Sequence, residues 1–216
     1  TMAIAGFGTT AEGDILVADH LGNDIYRLEP NSLKEDDGSP FPVMLSETGL
    51  FASTSELKRA EGVMAYEINA PAWHDGAKSE RLLALPGKTV VEFQEEDSKR
   101  ANWISWDFPN GTAVAQTLMN PDTKRRLETR VLLKQENEWA AYSYLWNQEQ
   151  NDAVLVPKEG IRLKVDDLEW QVPSRSNCLI CHSRQANFVL SLTTAQLNRN
   201  VVFKGKQVNQ IDLLIR

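Results

Sequence analysis

The sequence has no apolar run long enough to cross a lipid bilayer. Its longest runs, such as residues 15–18, span a few residues, whereas a membrane-spanning helix needs about 20. The sequence also has no excess of positive charge, because 30 acidic residues outnumber 23 lysines and arginines and the net charge is −7. Nucleic-acid binding needs a basic surface. We therefore expect no membrane span and no nucleic-acid partner.

Cysteine is scarce, with two residues in a chain of 216, and both stand in the stretch CLICH as Cys178 and Cys181. On a helix this spacing places both sulfurs on one face, and His182 follows within the same turn. A haem group has two vinyl substituents that thiols can bond and an iron that needs an axial nitrogen. The CxxCH spacing is the attachment signature of c-type haem. The sequence therefore predicts one covalently bound haem c, with His182 as the proximal iron ligand.

Three other roles for the cysteine pair stay open at this stage. A zinc site needs two more ligands, but the remaining histidines, His20 and His74, do not have the usual spacing. A thioredoxin-type redox pair follows a strand in a βαβ setting, and no parallel βα pattern precedes Cys178. A structural disulfide between positions three apart closes a small loop and stabilises little. Haem attachment is the hypothesis that the pattern favours.

The second axial ligand is the least determined part of the site, because no methionine or histidine follows His182. We rank Met119 first, since it stands at a strand-to-turn junction in LMNPD, then His74, and then an iron with five ligands. A methionine ligand would raise the haem potential relative to a second histidine. The other upstream candidates are Met44, Met64 and His20.

Arginines near these motifs are candidates for binding the haem propionates, because arginine pairs with carboxylates through two hydrogen bonds. Strand alternation in RRLETR places Arg126 and Arg130 on one face, on either side of Glu128. The alternative for both is a solvated strand with local arginine–glutamate pairs. Arg175 and Arg184 flank CLICH and are comparable candidates.

Turn and strand patterns divide the chain into three segments. Residues 1–30 show a strand-turn-strand pattern, and residues 31–42, rich in Asn, Ser, Asp, Gly and Pro, are predicted to be a linker. Residues 43–216 are mostly strand-like, with an Asn110-Gly111 turn between two runs. We predict an α+β fold, in which a mainly antiparallel β domain carries a small helical haem-binding C-terminal part. The predicted helices are residues 46–62, a CLICH helix capped by Ser174 or Ser176 that runs to Arg184, a helix capped by Thr193 or Thr194, and NQIDLLIR.

Five stretches carry a resemblance to a known family. They are LSETGLF (45–51), EGVMAYEINAPAWHDGAKSER (61–81), RRLETR (125–130), YSYLWNQEQNDA (142–153) and PSRSNCLICHSRQANFVLSLTTAQLNR (173–199). In combination they resemble a c-type haem domain of secreted, multi-modular bacterial proteins, in which serine is common at the position of His74. That domain often follows a propeller similar to the pyrroloquinoline quinone (PQQ) dehydrogenases of the glucose/sorbosone type. Residues 6–30, GFGTTAEGDILVADHLGNDIYRLEP, resemble a closing blade of such a propeller.

The resemblance implies an electron-transfer module that is secreted or periplasmic in bacteria. It would accept single electrons from a fused or separate sugar dehydrogenase and pass them to a redox partner, such as a copper-dependent polysaccharide monooxygenase. A PQQ site is not expected, because the first 30 residues supply less than one four-stranded blade. We therefore expect an electron-transfer module rather than an enzyme.

The alternative function is a haem enzyme, or a gas-binding or sensory haem domain, with an open iron site. His74 and Asp75 in the stretch AWHDGA would then supply an acid–base pair beside the iron. The competing interpretation of WHDG is a plain turn, in which Trp73 is packed and His74 is exposed.

Overall fold

The computed structural model describes residues 2–30, 41–93, 106–135, 138–165, 167–183 and 186–214. The chain separates into two compact units, Thr1–Phe41 and Pro42–Arg216. In the first unit three strands form an antiparallel sheet, ordered as they occur along the chain. These strands are β1 (Ile4–Thr9), β2 (Ile15–Asp19) and β3 (Asp24–Arg27). Most of the predicted linker, residues 31–40, lies outside the described residues.

The second unit consists mainly of short strands joined by turns. Its strands are β4 (Phe51–Ser53), β5 (Lys58–Arg59), β6 (Met64–Tyr66), β7 (Lys78–Ala84), β8 (Glu92–Phe93), β9 (Trp106–Asp107), β10 (Ala113–Met119), β11 (Arg126–Gln135), β12 (Glu138–Trp146), β13 (Ala153–Leu155), β14 (Ile161–Val165), β15 (Leu168–Val172), β16 (Asn200–Phe203) and β17 (Lys206–Asn209). Its helices are a 3₁₀-helix η1 (Leu45–Thr48), α1 (Arg175–Cys181), α2 (Thr194–Leu197) and α3 (Gln210–Leu214).

Six strands form the main sheet, in the order β13-β12-β11-β10-β7-β6, and every neighbouring pair is antiparallel. β-Branched and aromatic residues favour this pleated arrangement, as in EWAAYSYLW of β12. The turn predicted at Asn110-Gly111 precedes β10, and Gly111 adopts a φ of 89° there. This left-handed conformation suits glycine, and the Gly111 N–H donates to the carbonyl of Lys134 at 2.7 Å. The turn thereby fixes the start of β10 against β11.

Both faces of the main sheet are covered, and the hydrophobic core therefore consists of separate clusters on the two faces. Adjacent residues on a strand point to opposite faces. Leu82 packs on one face against η1, whereas Leu83 packs on the other, which we call the site face, against Val189. A further cluster on the site face contains Leu118 and Trp170. Because neither face is open to water, the central strands do not alternate strictly between polar and apolar residues.

The helix predicted for residues 46–62 is wrong. The helical segment η1 is one turn long and ends at Gly49, whose φ of 74° is left-handed. The chain then forms the β4–β5 hairpin, which buries Phe51 in the core. Ser46, interpreted as a helix cap, instead donates its Oγ–H to the carboxylate of Asp152 at 2.6 Å. The Ser- and Thr-rich stretch that follows disfavours a helix, because these side chains compete for backbone hydrogen bonds.

The predicted α+β fold with a small helical haem-binding C-terminal part is also wrong, because the protein is mostly antiparallel β. Strands hold 44% of the described residues and helices 11%. The helices α1, α2 and α3 have seven, four and five residues, and helices this short are not stable alone. Tertiary packing on the site face holds the C-terminal segment instead, and the segment also contains the β16–β17 hairpin. Among the described residues, no helix is both long and apolar enough to cross a membrane.

Candidate functional site

The CLICH stretch occupies α1 and the residue that follows it. The Oγ of Ser174 accepts a hydrogen bond from the N–H of Asn177 at 3.1 Å and caps the start of α1. The predicted helix was expected to reach Arg184, which lies outside the described residues, but α1 ends at Cys181. Cys178 is half-buried, Cys181 is exposed, and both are free thiols. The helix therefore presents two unpaired thiols one turn apart.

His182 follows α1 directly, and its backbone N–H donates to the carbonyl of Cys178 at 2.9 Å. Its ring Nδ1 lies 2.5 Å from the carbonyl oxygen of Phe188. Because a carbonyl only accepts, Nδ1 carries the proton and Nε2 keeps a free lone pair. Burial lowers the pKa of His182, the bond to Phe188 opposes that effect, and the charge of Arg130 also lowers the pKa. The ring is therefore neutral at pH 7, which is the form that binds a metal.

A cavity of about 400 Å³ lies on the site face beside α1. Its size falls within the range of roughly 300 to 1,000 Å³ that is usual for small-molecule and cofactor sites. The sequence-predicted residues that line it are Cys178, Cys181, His182, His74 and Arg130. Apolar side chains from the sheet, from the loop after β6 and from the C-terminal segment supply much of the remaining wall, among them Ile68, Val114, Leu132, Ala141 and Leu190.

A polar row crosses the sheet at the floor of this cavity. Gln116 of β10 lies directly opposite Arg81 of β7 on one side and Arg130 of β11 on the other. Residues opposite each other in antiparallel strands share a face, and all three line the cavity. Val114 and Leu118, two residues to either side of Gln116 on the same face, belong to apolar clusters. The cavity is thus the place where polar side chains interrupt an apolar sheet face.

Arg130 is held in place by a buried carboxylate. Its Nε and Nη2 donate to the two carboxylate oxygens of Glu128 at 2.9 and 3.0 Å, and the Glu128 side chain is fully buried. The indole N–H of Trp170 donates to the same carboxylate at 3.2 Å. A bidentate pair of this kind fixes the plane of the guanidinium. Glu128 therefore orients Arg130 at the cavity floor.

His74 is half-buried, whereas the neighbouring Trp73 is 80% exposed. This is the opposite of the packing that the plain-turn interpretation of WHDG assumed. The side-chain amide nitrogen of Gln116 lies 3.1 Å from Nε2 of His74, and an amide N–H₂ group can only donate. Burial lowers the pKa of His74, and the charges of Arg130 and Arg81 lower it further. The His74 ring is therefore neutral at pH 7.

Met119 and Arg126 do not line the cavity. Met119 is three residues beyond Gln116 on β10, so its side chain points to the opposite face of the sheet. The pairing of β10 with β11 shifts register after Leu118, and Arg126 lies beyond this irregularity. Its guanidinium stacks over the Trp146 ring at 4.7 Å, and Trp146 belongs to the core cluster on the opposite face. Arg126 is thus separated from Arg130, with which it was predicted to share a face.

Other residues that line the cavity were missed by the sequence interpretation. Chief among them are Arg81 and Gln116. Gln116 stands in AVAQTLM as a single amide among mostly apolar residues, which was the available signal. Arg81 had no comparable signal, because the pattern of its stretch, SERLLA, is typical of an ordinary half-exposed strand. Arg175, predicted beside the motif, stacks over the Tyr142 ring at 4.5 Å and is not a lining residue.

These residues fit a c-type haem. Two free thiols, a neutral imidazole with a free Nε2 and a largely apolar wall meet at one cavity, and Arg130 supplies a cation for the carboxylates of the group. Within the described ranges, no cluster of three or more His, Cys, Asp or Glu residues could hold a metal ion by itself. No protein-family model, curated protein or solved structure matches this chain.

Proposed function

We propose that this chain is a c-type cytochrome domain that transfers single electrons. The observation that carries the proposal is the arrangement around α1, where Cys178, Cys181 and His182 line one cavity and the bond from Nδ1 of His182 to Phe188 leaves Nε2 with a lone pair. Covalent attachment suits this arrangement because Cys181 is exposed at the cavity rim, where a group bound by weak contacts alone would be lost more readily. The bound haem would supply a one-electron redox couple.

Each residue of the cavity would have a distinct role. Cys178 and Cys181 would hold the group by adding their thiols across its two vinyl double bonds, a reaction that consumes no oxidant. His182 would bind the iron through Nε2, while the hydrogen bond from its Nδ1 to Phe188 maintains that tautomer. His74 would be the second residue to hold the iron, because it lines the cavity and Met119 does not.

The proposed setting is a bacterial periplasm or the outside of the cell. Residues 43–200 resemble haem domains that accompany sugar dehydrogenases, which supports a dehydrogenase-type electron donor. A redox protein, such as a copper-dependent polysaccharide monooxygenase, is the proposed acceptor. The exposed position of Cys181 at the cavity rim supports this role, because electron transfer between proteins needs a cofactor edge close to the surface.

A second candidate function is a haem enzyme or a gas-binding domain with an open iron site. The hydrogen bond between Gln116 and His74 favours it, because a donor directed at Nε2 of His74 occupies the lone pair that would bind iron. Carbon monoxide added to the reduced protein, or cyanide added to the oxidised protein, separates the two functions. Rapid and tight binding favours the open site, whereas no binding favours electron transfer with both axial positions filled.

The test of the main proposal is covalent haem in the purified protein. The chain is produced in a bacterium with cytochrome maturation machinery, denatured in acid and extracted with organic solvent. We expect the haem colour to stay with the polypeptide. A Cys178→Ser variant should keep one thioether and shift the reduced absorption band to longer wavelength, since one vinyl group stays conjugated.

Ser176→Ala is the matched control, because Ser176 lies on the same helix and is exposed. This variant should have the wild-type spectrum. A colourless wild-type protein from the same cells would overturn the proposal. Haem that is extracted completely from the wild type would overturn the roles of both cysteines.

A further inference from the structure

Arg81 lines the cavity floor without a partner in the part of the chain that the structure describes. It lies opposite both Tyr66 and Gln116 across the sheet and is half-buried. No ion pair or hydrogen bond joins its guanidinium to any described residue. Arg130, on the other side of Gln116, differs in this respect because it is paired with Glu128. With one strand between them, the Cα atoms of the two arginines are roughly 10 Å apart.

The half-buried guanidinium of Arg81 has lost part of its contact with water and has no ionic partner among the described residues. Burial lowers the pKa of Arg81, since a low-dielectric surrounding disfavours the charged form. Charged side chains that are withdrawn from water are normally paired. Among the described residues that line the cavity, none is an aspartate or a glutamate. The floor therefore carries two guanidiniums, and the one carboxylate that pairs with them, that of Glu128, is bound to Arg130 and does not line the cavity.

The excess positive charge of the two guanidiniums favours the binding of an anionic group inside the cavity. A guanidinium presents its N–H donors in one plane and matches a carboxylate through two parallel hydrogen bonds. Glu128 occupies Nε and Nη2 of Arg130, which leaves Nη1 without a hydrogen bond to any described residue. No described residue accepts a hydrogen bond from the guanidinium of Arg81. The cavity floor thus offers one complete and one partial carboxylate site.

We propose that Arg81 binds a carboxylate of the haem group, with Nη1 of Arg130 as the second contact. This proposal rests on the proposed function, because the haem propionates are the carboxylates concerned. It assigns to Arg81 the role that the sequence suggested for Arg126, whose guanidinium lies on the Trp146 ring instead. Arg81 is then a cofactor-binding residue whose charge stabilises the reduced state relative to the oxidised state.

The test compares Arg81→Gln and Arg81→Lys with the wild type by redox titration and resonance Raman spectroscopy. Arg81→Gln is expected to shift the midpoint potential to a more negative value, because removal of a positive charge favours the oxidised haem. The Raman bending mode of the propionates should shift as their hydrogen bonds weaken. Arg81→Lys keeps the charge and should restore most of the potential but not the Raman frequency, since lysine cannot form the bidentate contact.

Arg162→Gln is the matched control, because Arg162 is exposed on β14 and pairs with Gln171 away from the cavity. It should leave both readouts unchanged. Covalent haem with identical potentials and Raman bands in wild type and Arg81→Gln would overturn this inference and leave the proposed function standing. A wild type without haem would overturn the proposed function itself.

A free carboxylate is the competing occupant of the Arg81 site. Acetate or succinate added to the wild-type protein should leave the midpoint potential unchanged. A saturable shift that disappears in Arg81→Gln would assign the site to an external carboxylate and overturn the haem assignment.

Discussion

The two histidines of the cavity differ in the group that forms a hydrogen bond with a ring nitrogen. Nδ1 of His182 is bound to the backbone carbonyl of Phe188, so its Nε2 keeps a lone pair, and this does not depend on the rotamer of a neighbouring side chain. Nε2 of His74 accepts from the side chain of Gln116, and that amide can rotate away. His182 is therefore pre-organised for iron, whereas His74 becomes a ligand only when the bond to Gln116 is released.

Variants at the two ranked candidates test this distinction. His74→Ala should change the oxidised protein from a low-spin to a high-spin spectrum, because it removes the proposed second axial nitrogen. Met119→Leu should leave the visible spectrum unchanged, since the Met119 side chain points to the opposite face of the sheet. The measurement is the visible and near-infrared absorption of both oxidation states. Loss of a sulfur-to-iron band in Met119→Leu alone would reverse the assignment, and no effect of either variant would favour the open iron site.

The buried Glu128–Arg130 pair makes a prediction about stability. Arg130→Met should destabilise the second unit by about 2 to 4 kcal/mol, because it leaves the fully buried Glu128 carboxylate without its cation. Glu128→Gln should cost about 1 to 2 kcal/mol, since the amide oxygen still accepts from Trp170 and Arg130 is partly exposed. Urea unfolding followed by tryptophan fluorescence measures both. An Arg130→Met variant as stable as Glu128→Gln would contradict the pairing.

At the scale of elements, α1 depends on the turn that precedes β14. The N–H of Arg175 donates to the carbonyl of Lys158 at 2.9 Å. Gly160 is close to the backbone of the residues that precede α1. A Cβ atom at Gly160 would be 2.5 Å from the carbonyl oxygen of Val172. A helix of seven residues has little stability of its own, so this contact helps to set the position of the two thiols.

Replacement of Gly160 tests whether its close contact with the residues before α1 helps to position this helix. Gly160→Ala should destabilise the protein by about 3 kcal/mol, because it adds a steric clash to the strain of a left-handed alanine. It should also lower the fraction of protein that carries haem. The control is Gly62→Ala, since Gly62 has a φ of 83° with no atom near its missing Cβ, and it should cost about 1 kcal/mol with normal haem content. Equal effects of the two variants on thermal unfolding and haem content would show that the close approach of Gly160 to Val172 does not help to position α1.

At the scale of the whole molecule, the core and the cavity belong to one unit. All three hydrophobic clusters and every lining residue of the cavity lie within Pro42–Arg216. The first unit is a separate three-stranded sheet. The second unit therefore contains, among the described residues, the whole set that the proposed function uses.

A protein that starts at Pro42 should retain covalent haem, its visible spectrum and its midpoint potential. The physical reason is that no described residue of Thr1–Phe41 belongs to the cavity or to the three clusters. Absorption spectroscopy and redox titration of residues 42–216 beside the full chain measure this. A shortened protein that lacks haem, or that has a shifted potential, would show that the first unit takes part in the site.

The sequence by itself determined the local features of this protein. The CxxCH spacing, the Ser174 cap and the Asn110-Gly111 turn depend on residues a few positions apart, whose relative positions the backbone geometry restricts. Strand-like composition similarly indicated antiparallel strands, although the α+β fold class predicted with them was wrong. The helix at residues 46–62 and the helical C-terminal part failed as predictions, because capping signals and helix patterns are weak when tertiary packing stabilises strands instead.

The tertiary structure alone decided which distant residues share the cavity. Arg81, Gln116 and Arg130 meet because three strands pair in one register, and a shift of one residue would turn each side chain to the other face. The irregular pairing after Leu118 separates Arg126 from Arg130, and alternation along β10 turns Met119 away from His182. Register of this kind depends on packing between segments far apart in the chain. Burial on both faces of the sheet also removed the polar–apolar alternation that would otherwise show which residues share a face.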